Sequence, residues 1–493
     1  MMRTGLDAWR VRSADFPAEG TDAEKLWFLV NYAVLAPSKY NAQPWLFEIC
    51  SESLDIIRDR SWALREADPE GRELILSCGA SLLNLSVAAR HFGYAVQIQT
   101  FPWQGDRYLL ARLRLSPLSR DKAKPKSPLA GRASNCLCSA NSTNWAAAEP
   151  FDDDCFEAIR NRCTSRRPFR TGAPPEEAMG ACVEAVFAYG AWLHFIRDEP
   201  ARRAEDQLVA QGDREQMANK LLRRELRRWT HSRRGRSRDG FRVSRYGLYG
   251  AMSLLTPGFS ALFWVFNLGR LNAAHDRRLA EKGPVLAVLG TELDNPQAWL
   301  SAGQALQQVL RRATVAGLSA SFFNQPIEVG HLRNGLCQLA KRTGFPQILL
   351  RPGHGEPARH TPRRHAKEVV YSMRTLVLDR GAESGFDQMD AQTARQSFVV
   401  NIGLGLHARP CALLVKTLRP FRSDVLVEAN GEEASGHSIM GLMMLAAGLG
   451  SVITITITGE DAPQAMAAIG RLFVTRFADA YGSSRDSRDP KLL

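Results

Sequence analysis

Several features that whole classes of function require are missing from these 493 residues. The opening stretch, MMRTGLDAWRVRSADFPAEG, holds no apolar run of the kind a secretion leader needs, so the expected compartment is the cytoplasm. Cysteine occurs nine times, yet without the two close pairs of a structural zinc site. The close pair Cys136 and Cys138 lies in a Ser/Asn/Lys-rich stretch and has no second pair, so no metal is expected. The odd, scattered count points to a reducing environment and not to a disulfide framework. Long hydrophobic runs are scarce as well. Tyr246 to Gly269, between Arg245 and Arg270, is uncharged over a membrane-spanning length. Pro257-Gly258 sits in its middle among Tyr, Ser, Thr and Asn, which favours two short buried helices joined by a turn over a membrane span. Acidic charge is the scarcer sign, 51 Asp and Glu against 64 Lys and Arg. The basic excess is densest at Arg223, Arg224, Arg227, Arg228, Arg233, Arg234, Arg236 and Arg238, interrupted by Glu225 and Trp229. No nucleic-acid recognition motif accompanies this run, which predicts a solvated arginine face or an anion site and no nucleic-acid partner.

What is present is a normal globular balance, 45% hydrophobic and 23% charged, in a chain too long for one ordinary domain. The densest chemistry lies in Gly405-Leu406-His407-Ala408-Arg409-Pro410, GLHARP. A histidine and an arginine at the mouth of a predicted helix meet free backbone N–H groups and the positive end of the dipole, which suits a phosphoryl-accepting histidine assisted by Arg409. Pro410 costs nothing in the first turn. The flanks predict a strand over Phe398–Ile402, a helix over Ala408–Leu418 and a strand over Asp424–Ala429. The last ends at the hairpin dipeptide Asn430-Gly431. A further strand leads to Ser438, the N-cap of a helix reaching Ala447, before a strand over Val452–Ile457 and a helix over Ala462–Phe477.

This βαββαβ module, residues 396–480, resembles HPr, the histidine-containing phosphocarrier of the phosphoenolpyruvate-dependent sugar phosphotransferase system. The resemblance implies an open-faced sandwich in which His407 takes phosphate from an upstream donor protein and passes it to an acceptor protein, with Arg409 assisting. Ser438 occupies the regulatory serine position, open to an HPr kinase-like regulator, although a plain helix cap accounts for it equally. Cys411 stands where the family has a small apolar residue, and a packed, inert thiol is expected there in preference to a redox-sensitive one.

Upstream, the helical run Leu26–Leu35 is followed by Ala36-Pro37-Ser38 and Asn41-Ala42-Gln43-Pro44-Trp45. Small polar side chains bunched at a helix end can hydrogen-bond the edge of a flat heteroaromatic ring. This stretch resembles the flavin-contacting segment of the nitroreductase-like fold. Asp68-Pro69, Arg72-Glu73 and the apolar helix expected to open at Cys78-Gly79-Ala80-Ser81 agree with it. The arginine-rich Arg-x-Ser-x-Arg segment with which that family grips the flavin phosphate does not precede Ala36. A match comes later, at Arg162-Cys163-Thr164-Ser165-Arg166-Arg167-Pro168-Phe169, where guanidinium forks and a hydroxyl suit a phosphate. Ala302-Gly303-Gln304, Asn324-Gln325-Pro326-Ile327-Glu328, Pro346-Gln347 and Pro362-Arg363-Arg364 resemble the Acg-type branch of the same family.

The resemblance implies a single-chain pseudo-dimer with one complete FMN site. One half brings Ser38, Asn41 and Gln43, the other Arg162, Thr164 and Arg166, and Arg363 and Arg364 are further cofactor-binding candidates. The expected fold class is therefore a multidomain α+β chain, a pseudo-dimeric nitroreductase-like fold followed by the HPr-like sandwich. Its expected segments are a first half at 1–114, an irregular linker at 115–149, a second half at 150–370, a linker at 371–395, the carrier at 396–480 and a polar tail at 481–493. The leading functional expectation is an oxidoreductase that moves electrons from NAD(P)H to a small nitroaromatic or quinone-like acceptor. The alternatives are a non-catalytic flavin-sequestering protein regulated through the carrier, and a phosphotransfer component whose upstream part only mediates contacts.

Overall fold

Local chemistry sets the elements before any packing does. Thr21 and Glu24 close a reciprocal capping box, Glu24 N–H donating to Thr21 Oγ1 at 3.3 Å and Thr21 N–H to Glu24 Oε2 at 2.8 Å, and start α1 (Asp22–Ala33). Asn295 accepts from Ala298 N–H at 2.9 Å ahead of Pro296 and starts α7 (Pro296–Val315) in the same spirit. The computed structural model describes residues 7–50, 52–102, 106, 108–118, 153–165, 168–170, 172–231, 237–242, 285–355, 360–371, 393–400, 402, 405–474 and 477. These fall into two units. One is built from Met1–Ile56, Ala63–Thr100 and Leu110–Val370, the other from Ile57–Trp62, Phe101–Leu109 and Tyr371–Leu493. The expected helix pair at Tyr246–Gly269 lies outside the described residues.

The first unit is written twice. After α1 come β1 (Trp45–Ile49) and β2 (Ser53–Arg58), then the long α2 (Arg72–His91), then β3 (Tyr94–Thr100) and β4 (Leu109–Pro117). The second pass begins, after α3 (Asp153–Asn161), with α4 (Glu176–Phe187) and β5 (Ala191–Ile196). An insertion follows, with α5 (Glu199–Ala218), α6 (Lys220–Trp229) and the two-residue strands β6 (Thr230–His231) and β7 (Phe241–Arg242). The pass resumes with β8 (Leu286–Thr291), α7, β9 (Ser319–Phe322) and β10 (Phe345–Gly353); α8 (Gln325–Glu328) and α9 (Gly330–Ala340) lie between the last two. The first sheet runs β1-β2-β4-β3 and the second β5-β8-β10-β9, so both follow the same first, second, fourth, third order. β11 (Val370–Tyr371), after the short α10 (Ala366–Val369), joins the edge of the first sheet beside β1, so the second half's tail returns to the first half.

The long helices meet at glycine. A Cβ on Gly79 would lie 2.1 Å from the Leu300 carbonyl oxygen, and one on Gly303 would lie 2.0 Å from that of Leu76, so α2 and α7 cross with backbones touching. Gln307 Nε2 donates to Asn84 Oδ1 at 2.7 Å across the same interface. α2 passes for a membrane span by length and composition, but its contacts are with this core. It opens at Arg72, earlier than the Cys78 expected, because Asp68 accepts from the N–H groups of Glu73 and Leu74 at 3.1 and 2.8 Å and nucleates the turn there.

The second unit carries β12 (Thr393–Val399), α11 (Ala408–Leu418), β13 (Asp424–Ala429), β14 (Glu432–Ser435), α12 (Ile439–Met444), β15 (Val452–Thr458) and α13 (Ala462–Val474) in a sheet ordered β12-β15-β13-β14. Ile453, Ile455 and Ile457 alternate into the core, and Phe398 stacks on Phe473 at 4.6 Å. Asn430 and Gly431 take φ angles of 52° and 83°, as a two-residue hairpin requires. Three expected boundaries shift. β12 starts at Thr393, before the expected Phe398, because it pairs with β15 from Thr393 opposite Thr458. α12 stops at Met444, short of Ala447, where Asn430 Nδ2 caps the Leu445 carbonyl at 2.9 Å and Ala446 turns left-handed. α13 ends at Val474, and Phe477 is buried with a φ of 52°.

Candidate functional site

The Ser38–Gln43 loop is held under strain. Tyr40, Asn41 and Gln43 adopt φ angles of 51°, 56° and 54°, a region that costs non-glycine residues free energy and clusters at functional sites. Ser38 Oγ accepts from Gln43 N–H at 2.9 Å and fixes the turn. Both amide side chains are then committed. Gln43 Nε2 donates to the carbonyls of Arg238 at 2.8 Å and Asn41 at 3.2 Å, while its Oε1 accepts from Arg364 N–H at 2.7 Å. Asn41 Nδ2 donates to the carbonyls of Pro362 at 3.0 Å and Arg238 at 3.2 Å, and its Oδ1 accepts from Arg363. The structure thus brings Ser38, Asn41, Gln43, Arg363 and Arg364 together, and it adds the backbone carbonyl of Arg238. Arg238 pairs with Glu368, and Arg224, Arg227 and Arg228 lie exposed along α6 as a solvated face.

The second half contributes a different kind of site. Arg162 is 4% exposed and its guanidinium donates to Thr164 Oγ1 at 3.2 Å, while its Nε has no hydrogen-bond partner. Burial pulls its pKa below the usual arginine value, with only the neighbouring Cys163 acting in the other direction. Burying a guanidinium without an opposite charge costs free energy. Thr164 bridges to Ala320, and Ser165 N–H donates to the Ala320 carbonyl at 2.9 Å, which pins the segment to β9. Arg166 lies outside the described residues. Sequence reasoning missed Arg351 on β10, fully buried at 4.2 Å from the Phe169 ring and 3.3 Å from Ser321 Oγ. It also missed Trp9, which stacks on His360 at 4.1 Å, donates to the Thr361 carbonyl at 2.9 Å and lies 5.4 Å beneath the Arg363 guanidinium. Through Cys163 beside His360, Trp9 and Arg363, these contacts link the arginine segment to the Ser38–Gln43 loop.

A second network lies under that loop. Lys39 Nζ reaches Glu73 at 2.6 Å, Glu328 at 3.0 Å and the Ala67 carbonyl at 2.9 Å. Asn324 donates to Glu73 at 2.9 Å, and Arg72 donates to the Gln347 carbonyl at 2.6 Å. Burial alone would depress the Lys39 ammonium, but Glu328 and Glu73 outweigh it and raise its pKa. Burial pushes the Glu73 carboxyl up, and Lys39 and Arg72 overcome it; Glu328, with Lys39 as its cation, stays raised by burial. Here segments of the two halves that looked like separate motifs, Arg72-Glu73 and Asn324–Glu328, form one buried ionic seam.

In the second unit Gly405, at a φ of 68°, turns the chain into α11; a Cβ there would sit 2.5 Å from the Ala447 carbonyl oxygen. His407 is the N-cap of α11, half-buried, and its Nδ1 accepts weakly from Arg409 N–H at 3.4 Å. The imidazole therefore faces the free N–H groups of the helix start, and the Arg409 side chain is exposed beside it. Ser438 caps α12, its Oγ accepting from Gly441 N–H at 3.1 Å. Cys411 is buried, as expected of a packed thiol, and burial pushes it up to about 11. Among the described residues no group of three or more His, Cys, Asp or Glu could hold a metal.

Comparison with known proteins separates the same two parts. Residues 394–475 match the family described as the PTS HPr component phosphorylation site. The phosphocarrier protein HPr of Xylella fastidiosa (strain 9a5c) is 47% identical over 79 residues, 16% of this chain and 89% of its own length. A Mycobacterium tuberculosis (strain H37Rv) protein provisionally named an NAD(P)H nitroreductase is 29% identical over 369 residues, 73% of this chain and 94% of its own length. Among solved structures, a nitroreductase with bound FMN from Bacteroides fragilis is 13% identical and aligns with 48% of this chain and 98% of its own, at a TM-score of 0.26. The chain is thus a nitroreductase-like protein whose C-terminal domain belongs to the HPr phosphocarrier family.

Proposed function

We propose that the first unit binds FMN and works as an oxidoreductase that takes electrons from NAD(P)H and gives them to a small nitroaromatic or quinone-like acceptor, with the HPr domain relaying phosphoryl groups on the same chain. The observation that supports the flavin reading is Arg162: a buried guanidinium with Thr164 beside it and, among the described residues, no carboxylate in contact suits the phosphate of a mononucleotide. The flavin, when bound, supplies the hydride chemistry. Arg162 and Thr164 would hold its phosphate, joined by Arg166, and Ser38 would offer a hydroxyl to the ring edge. Asn41 and Gln43 spend their amide hydrogens on the carbonyls of Arg238, Pro362 and Asn41, so their first task is to hold the loop in its strained form. Arg363 and Arg364 brace that loop.

The same closure favours a second reading, in which flavin is sequestered and the ring is kept from substrates. The Acg-type branch is the natural home for it. Near-UV and visible absorbance of the purified protein, followed by anaerobic NADPH or NADH, separates the readings. A flavin band that bleaches supports the oxidoreductase, a band that persists supports storage, and no band even after added FMN removes both.

In the carrier, His407 Nδ1 would form the new P–N bond while the phosphoryl group's bond to its donor protein breaks, and the reverse step would load an acceptor protein of a phosphotransferase system. The helix start receives the added negative charge and Arg409 pairs with it. Ser438 would serve an HPr kinase-like regulator, since a phosphate at that cap is well placed against the N-terminus of α12. Exposed Ile439, Met440 and Met443 on α12 supply an adaptable apolar face for these partner proteins. His407→Ala should abolish phosphotransfer while leaving flavin content unchanged. Loss of flavin in that variant would contradict separate duties for the two units. The cytoplasm is the compartment in which these partners and reductants meet.

A further inference from the structure

The cysteines of this chain are not alike. Burial pushes the thiol of Cys182 up to about 12 and that of Cys411 to about 11, and it raises Cys50 and Cys337 as well. Cys163 is placed differently. Like Cys337 it is partly exposed, and Cys50 is more exposed still, but the Cys163 Sγ lies 3.3 Å from His360 Nδ1. The imidazole is held by its stack on Trp9, with centroids 4.1 Å apart and planes at 22°, and Trp9 is itself anchored on the Thr361 carbonyl. Next to Cys163 in the chain stands Arg162, nine-tenths buried, with an unpartnered Nε and a hydroxyl as the acceptor of its Nη1. A base within hydrogen-bond reach and an undercompensated cation beside it are the surroundings that favour a thiolate, and the cation also offers an anchor for an anionic reactant.

We propose that Cys163 is a reactive thiol that forms mixed disulfides with small disulfides bearing carboxylates, His360 acting as its base and Arg162 holding a carboxylate. The Cys163 proton passes to His360 Nδ1. The thiolate attacks one sulfur of the incoming disulfide, a new S–S bond to Cys163 forms, and the old S–S bond breaks. The departing thiolate leaves with the proton from His360, so the external disulfide is the oxidant and one small thiol is released. A flavin phosphate on Arg162 would compete with that carboxylate, so the modification belongs to the flavin-free protein, and the test is made on that form.

The test treats the full-length protein with three probes, oxidised glutathione, the dicarboxylate 5,5′-dithiobis(2-nitrobenzoate) and the dicationic disulfide cystamine. The modified cysteines are then timed by peptide mass spectrometry. Cys163 should react before the other described cysteines and, once each rate is divided by that of free cysteine with the same probe to remove the difference in leaving group, roughly 10-fold faster with the dicarboxylate than with cystamine. His360→Phe keeps a ring on Trp9 and removes the base, and should slow Cys163 by about 10-fold. Arg162→Gln should erase the preference for the anionic probe. Circular dichroism of each variant checks that it is folded. A Cys163 that stays unmodified, or whose rate ignores His360→Phe or whose probe preference ignores Arg162→Gln in folded protein, overturns the proposal.

Discussion

The two halves of the first unit share a plan and divide the chemistry. Both open with a 12-residue helix, α1 or α4, and both centre on a 20-residue helix, α2 or α7, above a sheet of the same strand order. Where the halves meet they are equivalent, each long helix giving up a side chain at Gly79 or Gly303 so that the backbones can touch. Away from that crossing they diverge. The first half contributes a strained amide loop, and the second contributes buried guanidinium groups at Arg162 and Arg351. Packing at a shared interface constrains both copies at once, whereas a polar site needs only one donor of each kind. In this fold the first is present in both halves and the second is divided between them.

The sharpest way to break this comparison is at the crossing. Gly79→Val and Gly303→Val should each cost on the order of 3 kcal/mol or more, because the first added carbon already meets a backbone carbonyl that cannot swing aside. Thermal unfolding should show nearly equal losses for the two variants, and a tolerant Gly303 beside an intolerant Gly79 would show that the helices are not equivalent. Next comes the division of chemistry. Arg162→Gln should weaken FMN binding by about 30- to 100-fold, the worth of one charge-assisted contact, with Ser38→Ala costing only a few-fold in the same titration. Equal effects would return the site to shared responsibility. Gln43→Leu should destabilise the unit by about 1–3 kcal/mol in chemical denaturation, since it leaves the Arg364 N–H without its partner and the Arg238 carbonyl with Asn41 alone.

Much of this was legible in the sequence, and what was not has a physical reason. The carrier could be read almost element by element because GLHARP, the Asn430-Gly431 turn and the alternating isoleucines are local signals, set by capping, turn chemistry and period-two burial. The residues of the Ser38–Gln43 loop were legible as a cluster. Their exact duties were not, since the acceptors of Asn41 and Gln43 are backbone carbonyls of Arg238 and Pro362, and any residue presents the same carbonyl. The two-half plan was legible only through resemblance, because what repeats is helix length and strand order while the side chains differ. Lys39 gave no signal of its own, because its partners Glu73 and Glu328 are far away in the chain and only the fold brings them to one ammonium.

The smallest expected effect compares two aspartates that precede the long helices, Asp68 before α2 and Asp294 before α7. Burial lifts the Asp68 carboxyl above its ordinary range, aided by the charge on Glu73. Burial acts on Asp294 too, but Arg333 at 2.5 and 3.0 Å, Trp299 Nε1 at 2.7 Å and Gln347 at 3.1 Å outweigh it and hold its pKa down to about 2. A folded pKa below the unfolded value of about 3.9 means stability that is present at neutral pH and fades as pH falls from there toward 2. A raised folded pKa means the reverse, a penalty carried at neutral pH and relieved as the group takes up its proton. The cost of Asp294→Asn, about 1 kcal/mol once solvent screening is allowed for, should therefore shrink on acidification. Asp68→Asn loses one of the two acceptors that start α2, and its net cost should grow as pH falls through the raised pKa, because the parent protein then sheds its ionisation penalty. Unfolding midpoints of both variants against the parent protein, followed from pH 7 toward acid, should run with opposite slopes. Parallel slopes would mean that the two halves treat their leading carboxylates alike, and that the divergence of their polar chemistry stops short of the helix starts.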